Sequence, residues 1–397
     1  MTKNSLKLIF YIFSIFHLIP FLYLLNRKEY VSNFYRGEIG SLWTILYALS
    51  FFIMVYFFSR IKFKNISFKR LEMIFSKKPV LLLSCLFLFL SVFFFQNYGL
   101  NFRQSSKGLS SGGGVLFMHL IIKNYVKILL FIELIYQYNF KRFYLSRSIK
   151  FILLTSLALS ISGSLDIILI SYFLLTLFIP KLIISMKSFK SLLLLGFMLV
   201  SIVFVGIANK IGVSETSGLF KLENFIILFE HFLRRISTWH QSIEVVGKEF
   251  LFSFERSQEI ISNILKNTFS RLQILFGNNF EKPKIWSLSR YNYLLLFQNN
   301  TNATTGSSPG IVASSQLLFP FSFVLLSFGL GQLIRSISSL FGQKTNLLFD
   351  IFLILVILYP ILSSPIDLIN IFGPGVVFLF LLLISISYLK NNYSKLK

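Results

Sequence analysis

Apolar segments about as long as a bilayer is thick recur along this chain, and one long polar stretch, Asn209 to Pro309, interrupts the series. Roughly 20 consecutive apolar residues cross the hydrocarbon core as a helix, because lipid offers the backbone no hydrogen-bond partners of its own. The pattern therefore points to an all-α, polytopic integral membrane protein with about ten transmembrane helices and one large outer loop containing amphipathic helices. The chain divides accordingly into residues 1–208, which hold the first seven spans, 209–309, the loop, and 310–397, which hold the last three.

Composition agrees with this class: 55% of residues are apolar and 14% are charged. The single cysteine, Cys85, lies in an apolar run, so a disulfide framework and a thiolate metal cluster are both excluded. The 49 phenylalanines fill lipid-facing helix surface, and no aromatic site is read from them.

In a soluble protein a net charge of +24 would suggest nucleic acid, but here its placement gives it another meaning. Ten spans are expected at 8–25, 40–58, 80–98, 115–138, 151–162, 164–179, 192–208, 310–333, 347–362 and 372–389. With the N-terminus inside, the short cytoplasmic segments hold 21 of the 39 basic residues and the short outside loops hold 5. Arg60, Lys62, Lys64, Lys69, Arg70, Lys77 and Lys78 form the clearest cytoplasmic cluster. The charge is thus a topology signal: both termini are cytoplasmic, the long loop is outside, and nucleic acid is not a partner.

One joint carries that topology. Residues 151–179 form either two short segments or one long helix, and one helix would turn the loop to the cytoplasm. A break is favoured because Ser162-Gly163-Ser164 interrupts the run, Asp166 follows, and Lys181, Lys187 and Lys190 then face inside. The halves are short for full spans, so a hairpin bending back near the outer surface is expected. The first apolar segment contains Pro20 and lacks a small-residue cleavage site, which reads as a retained signal anchor.

Within the loop, Leu219, Leu222, Ile226, Phe229 and Leu233 recur at helical spacing, and so do Ile260, Ile261, Ile264, Leu265, Phe269 and Leu272. Two amphipathic helices, over 218–237 and 250–276, are expected to lie against the membrane or to cap its outer face. The polar run from Asn299 to Gly310 then leads into the eighth span.

The loop is nearly balanced in charge, so individual residues matter more than their total. Arg234 and Arg235 are adjacent, His240 and Glu244 follow closely, and Arg290 lies between Trp286 and Tyr291. Guanidinium groups match phosphate oxygens in bidentate geometry, and an imidazole can accept a hydroxyl proton near neutral pH. The set can form an anion clamp with a base, with His240 first and Glu244 second as the base. The plainer reading is that the arginines snorkel at a helix end and the histidine is structural. His231 is a weaker candidate, and His17 and His119 lie in expected spans.

Lys123, Lys127 and Glu133 lie within the fourth span, where buried charges line cavities, and two lysines at i,i+4 favour a nearby anion. Arg103 and Lys107 precede Gly112-Gly113-Gly114 and add a further phosphate contact. That glycine run is no nucleotide loop, since no Lys-Ser/Thr follows it. No paired-histidine or cysteine-pair metal motif occurs.

The arrangement resembles the O-antigen polymerase family, the Wzy-type polymerases of oligosaccharide repeat units. The resemblance rests on the span count, the large late loop, the stretch Arg234-Arg235-Ile236-Ser237-Thr238-Trp239 and the stretch from Thr304 to Ala313 (Thr-Thr-Gly-Ser-Ser-Pro-Gly-Ile-Val-Ala). Ser162-Gly163-Ser164 looks like the family's short Ser-Gly-Ser element, although Leu165 and Asp166 follow where the family often has a basic residue.

The resemblance implies a periplasmic reaction at the bacterial inner membrane. A glycan on undecaprenyl pyrophosphate is transferred to a sugar hydroxyl of an incoming lipid-linked repeat unit, and the lipid pyrophosphate leaves. Arg234, Arg235 and Arg290 would stabilise the leaving pyrophosphate, assisted by Arg103, Lys123 and Lys127, while His240 or Glu244 takes the hydroxyl proton. The implied partners are undecaprenyl-pyrophosphate-linked oligosaccharides, membrane lipid, and the chain-length regulator and flippase of the same pathway. No cofactor and no metal is required, because the sugar arrives activated. Two alternatives stay open: a flippase for the same lipid, for which the internal repeat is missing, and a lipid-linked glycan ligase.

Overall fold

The computed structural model describes residues 3–27, 42–62, 68–98, 113–140, 142–160, 166, 169–170, 222–251, 253–275, 287–297, 308–341, 350–351, 353–363, 365 and 374–396. Every regular element among them is a helix. The helices are α1 (Lys3–Phe13), α2 (Ile19–Arg27), α3 (Leu42–Arg60), α4 (Lys77–Tyr98), α5 (Gly113–Phe140), α6 (Arg147–Leu159), α7 (Leu222–Phe250), α8 (Phe254–Leu275), α9 (Leu288–Phe297), α10 (Gly310–Ser314), α11 (Phe321–Ser339), α12 (Tyr359–Ser363) and α13 (Pro374–Leu396). A π-helical turn, Ser14–Leu18, joins α1 to α2, and a second, Ile354–Leu358, leads into α12.

Five helices among the described residues are long and apolar enough to cross a membrane: Asn4–Asn26, Leu42–Arg60, Lys77–Asn97, Phe321–Ser339 and Gly375–Asn392. Four of them match expected spans, and Phe321–Ser339 takes up the later part of the eighth. Their outward faces are apolar, with Leu82 68%, Phe89 69% and Leu325 70% exposed. Surfaces of this kind belong in lipid. The α5 helix matches the fourth expected span and has 28 residues, with Lys123, Lys127 and Glu133 along it. The sixth and seventh expected spans, 164–179 and 192–208, lie outside the described residues apart from Asp166, Leu169 and Ile170.

Two compact units are formed, the first by residues 1–63, 230–338 and 358–376 and the second by 64–229, 339–357 and 377–397. In the first, α3 and α11 run side by side in the same direction. Phe51 and Phe58 meet Phe323 and Phe328 edge-on at 5.5 and 5.4 Å. A Cβ on Gly331 would stand 2.7 Å from the Val55 carbonyl oxygen, so only glycine permits this approach. At the shared C-terminal end, Gln332 Nε2 donates to the carbonyls of Phe58 (2.6 Å) and Ile61 (3.1 Å). Arg335 Nη1 donates to the Arg60 carbonyl at 3.0 Å and also bonds that of Ile61. Carbonyls left over at the end of α3 are thereby satisfied.

The expected span 310–333 is not one helix. It is divided into α10, turns over 315–320, and α11. Pro320 has no N–H to continue a helix, and Leu318 stands at φ 53°. The residues before the turn consequently join the polar interior described below, and the membrane-length helix starts at Phe321.

In the second unit α4 packs against α5 and α6. Glu133, fully buried, fixes the turn that leads into α6. Its carboxylate accepts from Lys150 Nζ (2.6 Å), Gln137 Nε2 (2.7 Å) and the backbone N–H groups of Tyr144 and Leu145 (2.8 Å each). Four donors satisfy this carboxylate, so Glu133 acts as a structural staple. Nearby, Tyr125 donates to the Ile74 carbonyl at 2.8 Å and Tyr144 to that of Phe75, seating the 3₁₀ turn Leu71–Phe75. Glu72 accepts from Ser387 (2.8 Å) and Asn391 (2.9 Å) near the end of α13. Asn139 Nδ2 donates to the Leu340 carbonyl at 2.6 Å. Four segments distant in sequence, around 68–76, 139–147, 340 and 387–391, are thus bonded together at one end of this unit.

The Glu133 staple should dominate local stability. Glu133→Ala is expected to cost about 3–5 kcal/mol by stranding Lys150, whereas Arg256→Ala, which breaks an exposed pair with Glu249, should cost about 0–1 kcal/mol. Thermal unfolding in detergent compares the two. A Glu133→Ala protein that melts with wild type removes the staple from this account.

Candidate functional site

Helix α7 begins amphipathic, as its sequence predicts, but its C-terminal part is enclosed: every residue from Trp239 to Gly247 is buried. The expectation that this helix ends near Ser237 is corrected. It continues to Phe250, and Ser237 and Ser242 bond back to carbonyls of the same helix, Ser242 Oγ donating to that of Thr238 at 2.6 Å. The second helix is amphipathic as expected. Along α8, Ser257, Ile260, Ile264 and Asn267 form its buried stripe, with Glu255, Gln258 and Glu259 outside.

Trp239 is the centre of the enclosed part, stacked on Phe16 of the first π-turn at 4.3 Å and on Tyr359, which follows the second π-turn, at 5.4 Å. Single π-helical turns inside α-helices are enriched at functional sites, and both turns here bring an aromatic ring to the same tryptophan. Gly310 closes the third side. Its φ is +78°, and a Cβ there would come within 3.2 Å of the indole. Gln316 Nε2 then donates to the Ile243 carbonyl at 2.9 Å, and Tyr47 and Ser315 share a hydroxyl bond of 3.0 Å.

His240 follows Trp239 and is 2% exposed. Its Nε2 meets Thr44 Oγ1 at 3.1 Å, and its ring lies edge-on to Phe21 (5.7 Å) and His17 (5.9 Å). Its Nδ1 has no hydrogen-bond partner among the described residues, and neither has Nδ1 of His17. Burial lowers the His240 pKa to about 4, so the imidazole is neutral at pH 7. Neutrality leaves it a lone pair on one nitrogen, the tautomer being set by whether Thr44 donates or accepts.

Glu244 lies one turn further along the same face, 5% exposed and bonded to Lys248 Nζ at 2.9 Å. Arg234 is partly exposed and paired with Glu230 at 3.1 Å, and a hydrogen bond with Tyr23, then Glu230, holds its pKa above the ordinary value. The backbone of Arg235 is helical, but its side chain lies outside the described residues. Arg290 is 3% exposed, sits 5.7 Å from the Tyr293 ring centre, and starts α9, where Ser287 Oγ caps its N–H at 3.1 Å. His240, Glu244, Arg234 and Arg290 all belong to the first unit. Lys123 and Lys127 belong to the second, and Arg103 lies outside the described residues.

Sequence reasoning missed His17, Thr44, Gln316 and Tyr359. The one available signal was His17 itself, a titratable group in an apolar span, where such residues mark sites. Comparison of the chain with protein-family models, with characterised proteins and with solved structures gave no match.

The depressed His240 pKa has a sign that can be measured. The unfolded imidazole takes up a proton near pH 6.5, and the folded one only near 4. Its contribution is therefore complete above pH 6.5 and is lost as pH falls towards 4, by about 3 kcal/mol over that window. Melting curves of His240→Gln should show a shallower decline between those values than wild type. An identical decline would mean that His240 is solvated in the native protein.

Proposed function

We propose that this chain is an integral membrane glycosyltransferase that polymerises undecaprenyl-pyrophosphate-linked oligosaccharide repeat units at the periplasmic face of a bacterial inner membrane. The observation that carries the reading is that the two stretches marked by the family resemblance, one ending at Trp239 and the other containing Gly310, pack against each other at Trp239, whose neighbour in sequence, His240, is buried.

In this reading the acceptor hydroxyl oxygen attacks the anomeric carbon of the donor glycan. The bond from that carbon to the pyrophosphate oxygen breaks, and its electron pair leaves with the lipid pyrophosphate. The hydroxyl proton passes to the free nitrogen of His240, with Glu244 the second choice. Arg234, Arg235 and Arg290 meet the developing phosphate charge, Arg234 exchanging Glu230 for it. His240 is 2% exposed, so the acceptor reaches it when the rings of His17 and Phe21 that lie against it move aside.

Topology supports an outside loop. The segments joined in the second unit, 68–76, 139–147, 340 and 387–391, fall after two, four, eight and ten expected spans, which puts all of them on the cytoplasmic side. One continuous helix over 151–179 would move the last two to the opposite side, where these bonds could not form. The parallel run of α3 and α11 requires the same parity. Helix α6 also stops at Leu159, with Ser160 at φ −120° and ψ 34°.

That stop also favours a second reading, a flippase. Interrupted helices with charged groups at the break are a transporter feature, and Lys123 and Asp166 lie beside this one. A ligase with a different acceptor would share the chemistry of the first reading.

Two measurements test the proposal. Purified protein given synthetic undecaprenyl-pyrophosphate repeat units should yield a ladder of product lengths, which Arg235→Ala abolishes and Arg235→Lys restores in part. No ladder, with lipid-linked glycan crossing liposomes, would favour the flippase. In a Cys85→Ser background, Gln258→Cys should react with an impermeant maleimide in intact spheroplasts, and Met73→Cys only after permeabilisation. The reverse pattern overturns the outside loop.

A further inference from the structure

Lys123 and Lys127 are one helical turn apart on α5 and meet different surroundings. Lys123 Nζ donates to Asp166 Oδ2 at 2.6 Å and to the Ser160 carbonyl at 3.3 Å, and both side chains of the ion pair are 5% exposed. Ser160 is the residue at which α6 stops, so Lys123 caps a carbonyl freed by the break. Ser91 Oγ bonds Ser160 Oγ at 3.3 Å, and Ser160 Oγ donates to the Ser156 carbonyl at 2.7 Å. One turn before Lys123, His119 is buried between the rings of Phe87 (5.3 Å) and Phe94 (4.9 Å).

Lys127 is half-buried and has no hydrogen-bond or ion-pair partner among the described residues. Two ammonium groups at i,i+4 repel each other, and Asp166 supplies one negative charge to the pair of them. An ammonium in an apolar helix is costly without a counter-charge, and such residues mark binding sites and pathways. Among the described residues Lys127 therefore has no carboxylate bonded to it, while an intramolecular carboxylate occupies Lys123.

We propose that Lys123 and Lys127 form an intramembrane anion site for the phosphate groups of a lipid pyrophosphate, with Asp166 as the resting counter-ion that an incoming phosphate displaces. The choice of ligand rests on the reading that lipid-linked pyrophosphates are the substrates. Two phosphates in series match two cations one turn apart, about 6 Å along a helix. Lysine suits the task, because a compact point charge accepts a phosphate from several directions without the planar match that arginine demands. Exchange at Lys123 frees Asp166 while Lys123 keeps its bond to the Ser160 carbonyl, so occupancy of the site is felt where α6 stops.

The test is ligand binding without turnover, read by thermal shift in detergent. Undecaprenyl pyrophosphate should stabilise the wild type, and undecaprenol, which has no phosphate, should not. Lys127→Gln gives up no hydrogen bond or ion pair among the described residues and should fold normally, but it should bind undecaprenyl pyrophosphate at least about tenfold more weakly. Asp166→Asn removes the competing carboxylate and should bind it severalfold more tightly.

Inorganic pyrophosphate separates the sources of the anion. Binding of the lipid alone assigns the site to a headgroup reached from the bilayer, and equal Lys127-dependent binding of inorganic pyrophosphate assigns it to a soluble anion. The proposal is overturned if Lys127→Gln binds both as tightly as wild type, or if a folded Asp166→Asn binds more weakly. Should Asp166→Asn fail to fold, Lys127→Gln decides alone. A protein that binds in this way yet yields no product ladder loses the polymerase reading and keeps the site. A ladder from a protein whose binding ignores Lys127 does the opposite.

Discussion

A charge or a freed backbone carbonyl at membrane depth has to find its partner inside the protein, because lipid offers none. The second unit is organised by this requirement. Glu133 is held by four donors, and that single carboxylate determines where α5 ends and α6 begins. Lys123 caps the carbonyl at which α6 stops and pairs with the acid beyond the stop. Helix α6 has 13 residues, about 20 Å, and so ends short of a bilayer's thickness. Among the described residues Lys123, Ser91 and Ser156 absorb the polar groups of this interruption.

Much of the helical layout was legible in the sequence, since runs such as 42–60 and 77–97 announce themselves by length and apolarity. Contacts between distant residues were not. Pro320 was visible, yet its division of 310–333 into a short buried helix and a lipid-facing one depends on where the preceding turn packs. Helix α7 was read to Ser237 from its apolar stripe, and it runs to Phe250 through a buried stretch, Trp239 to Gly247, that mixes polar and apolar residues. Periodicity registers apolar faces and has no access to a buried polar seam. The site was half legible on the same grounds. His240 and Glu244 stood out as titratable groups in a loop, whereas Thr44, Gln316 and the two π-turns matter only through what they touch.

Enclosure of Trp239 and His240 changes what kind of site this is. A histidine on a surface loop would be a base close to its ordinary pKa, open to any water. Here desolvation keeps it neutral at the cost of basicity, and a donor or acceptor nitrogen is left without a partner in a packed interior. A weak base can serve a reaction whose leaving group departs easily, because little proton transfer is needed before the bond to pyrophosphate breaks. Under the proposed function the depressed pKa is therefore compatible with transfer from a lipid pyrophosphate.

The same enclosure bears on how substrate arrives. Phe16, His17 and Phe21 belong to the first membrane-length helix and Thr44 to the second, so the seam of α7 is lined by residues of spans as well as of the loop. A lipid-linked sugar carries its reactive carbon one pyrophosphate away from the bilayer. Under the proposed function, a site built between a loop helix and the first spans would bring His240 close to that reactive carbon. The π-turn at Ser14–Leu18 widens the first helix at the residues that face Trp239 and His240, and a locally widened helix can shift its rings without breaking its run.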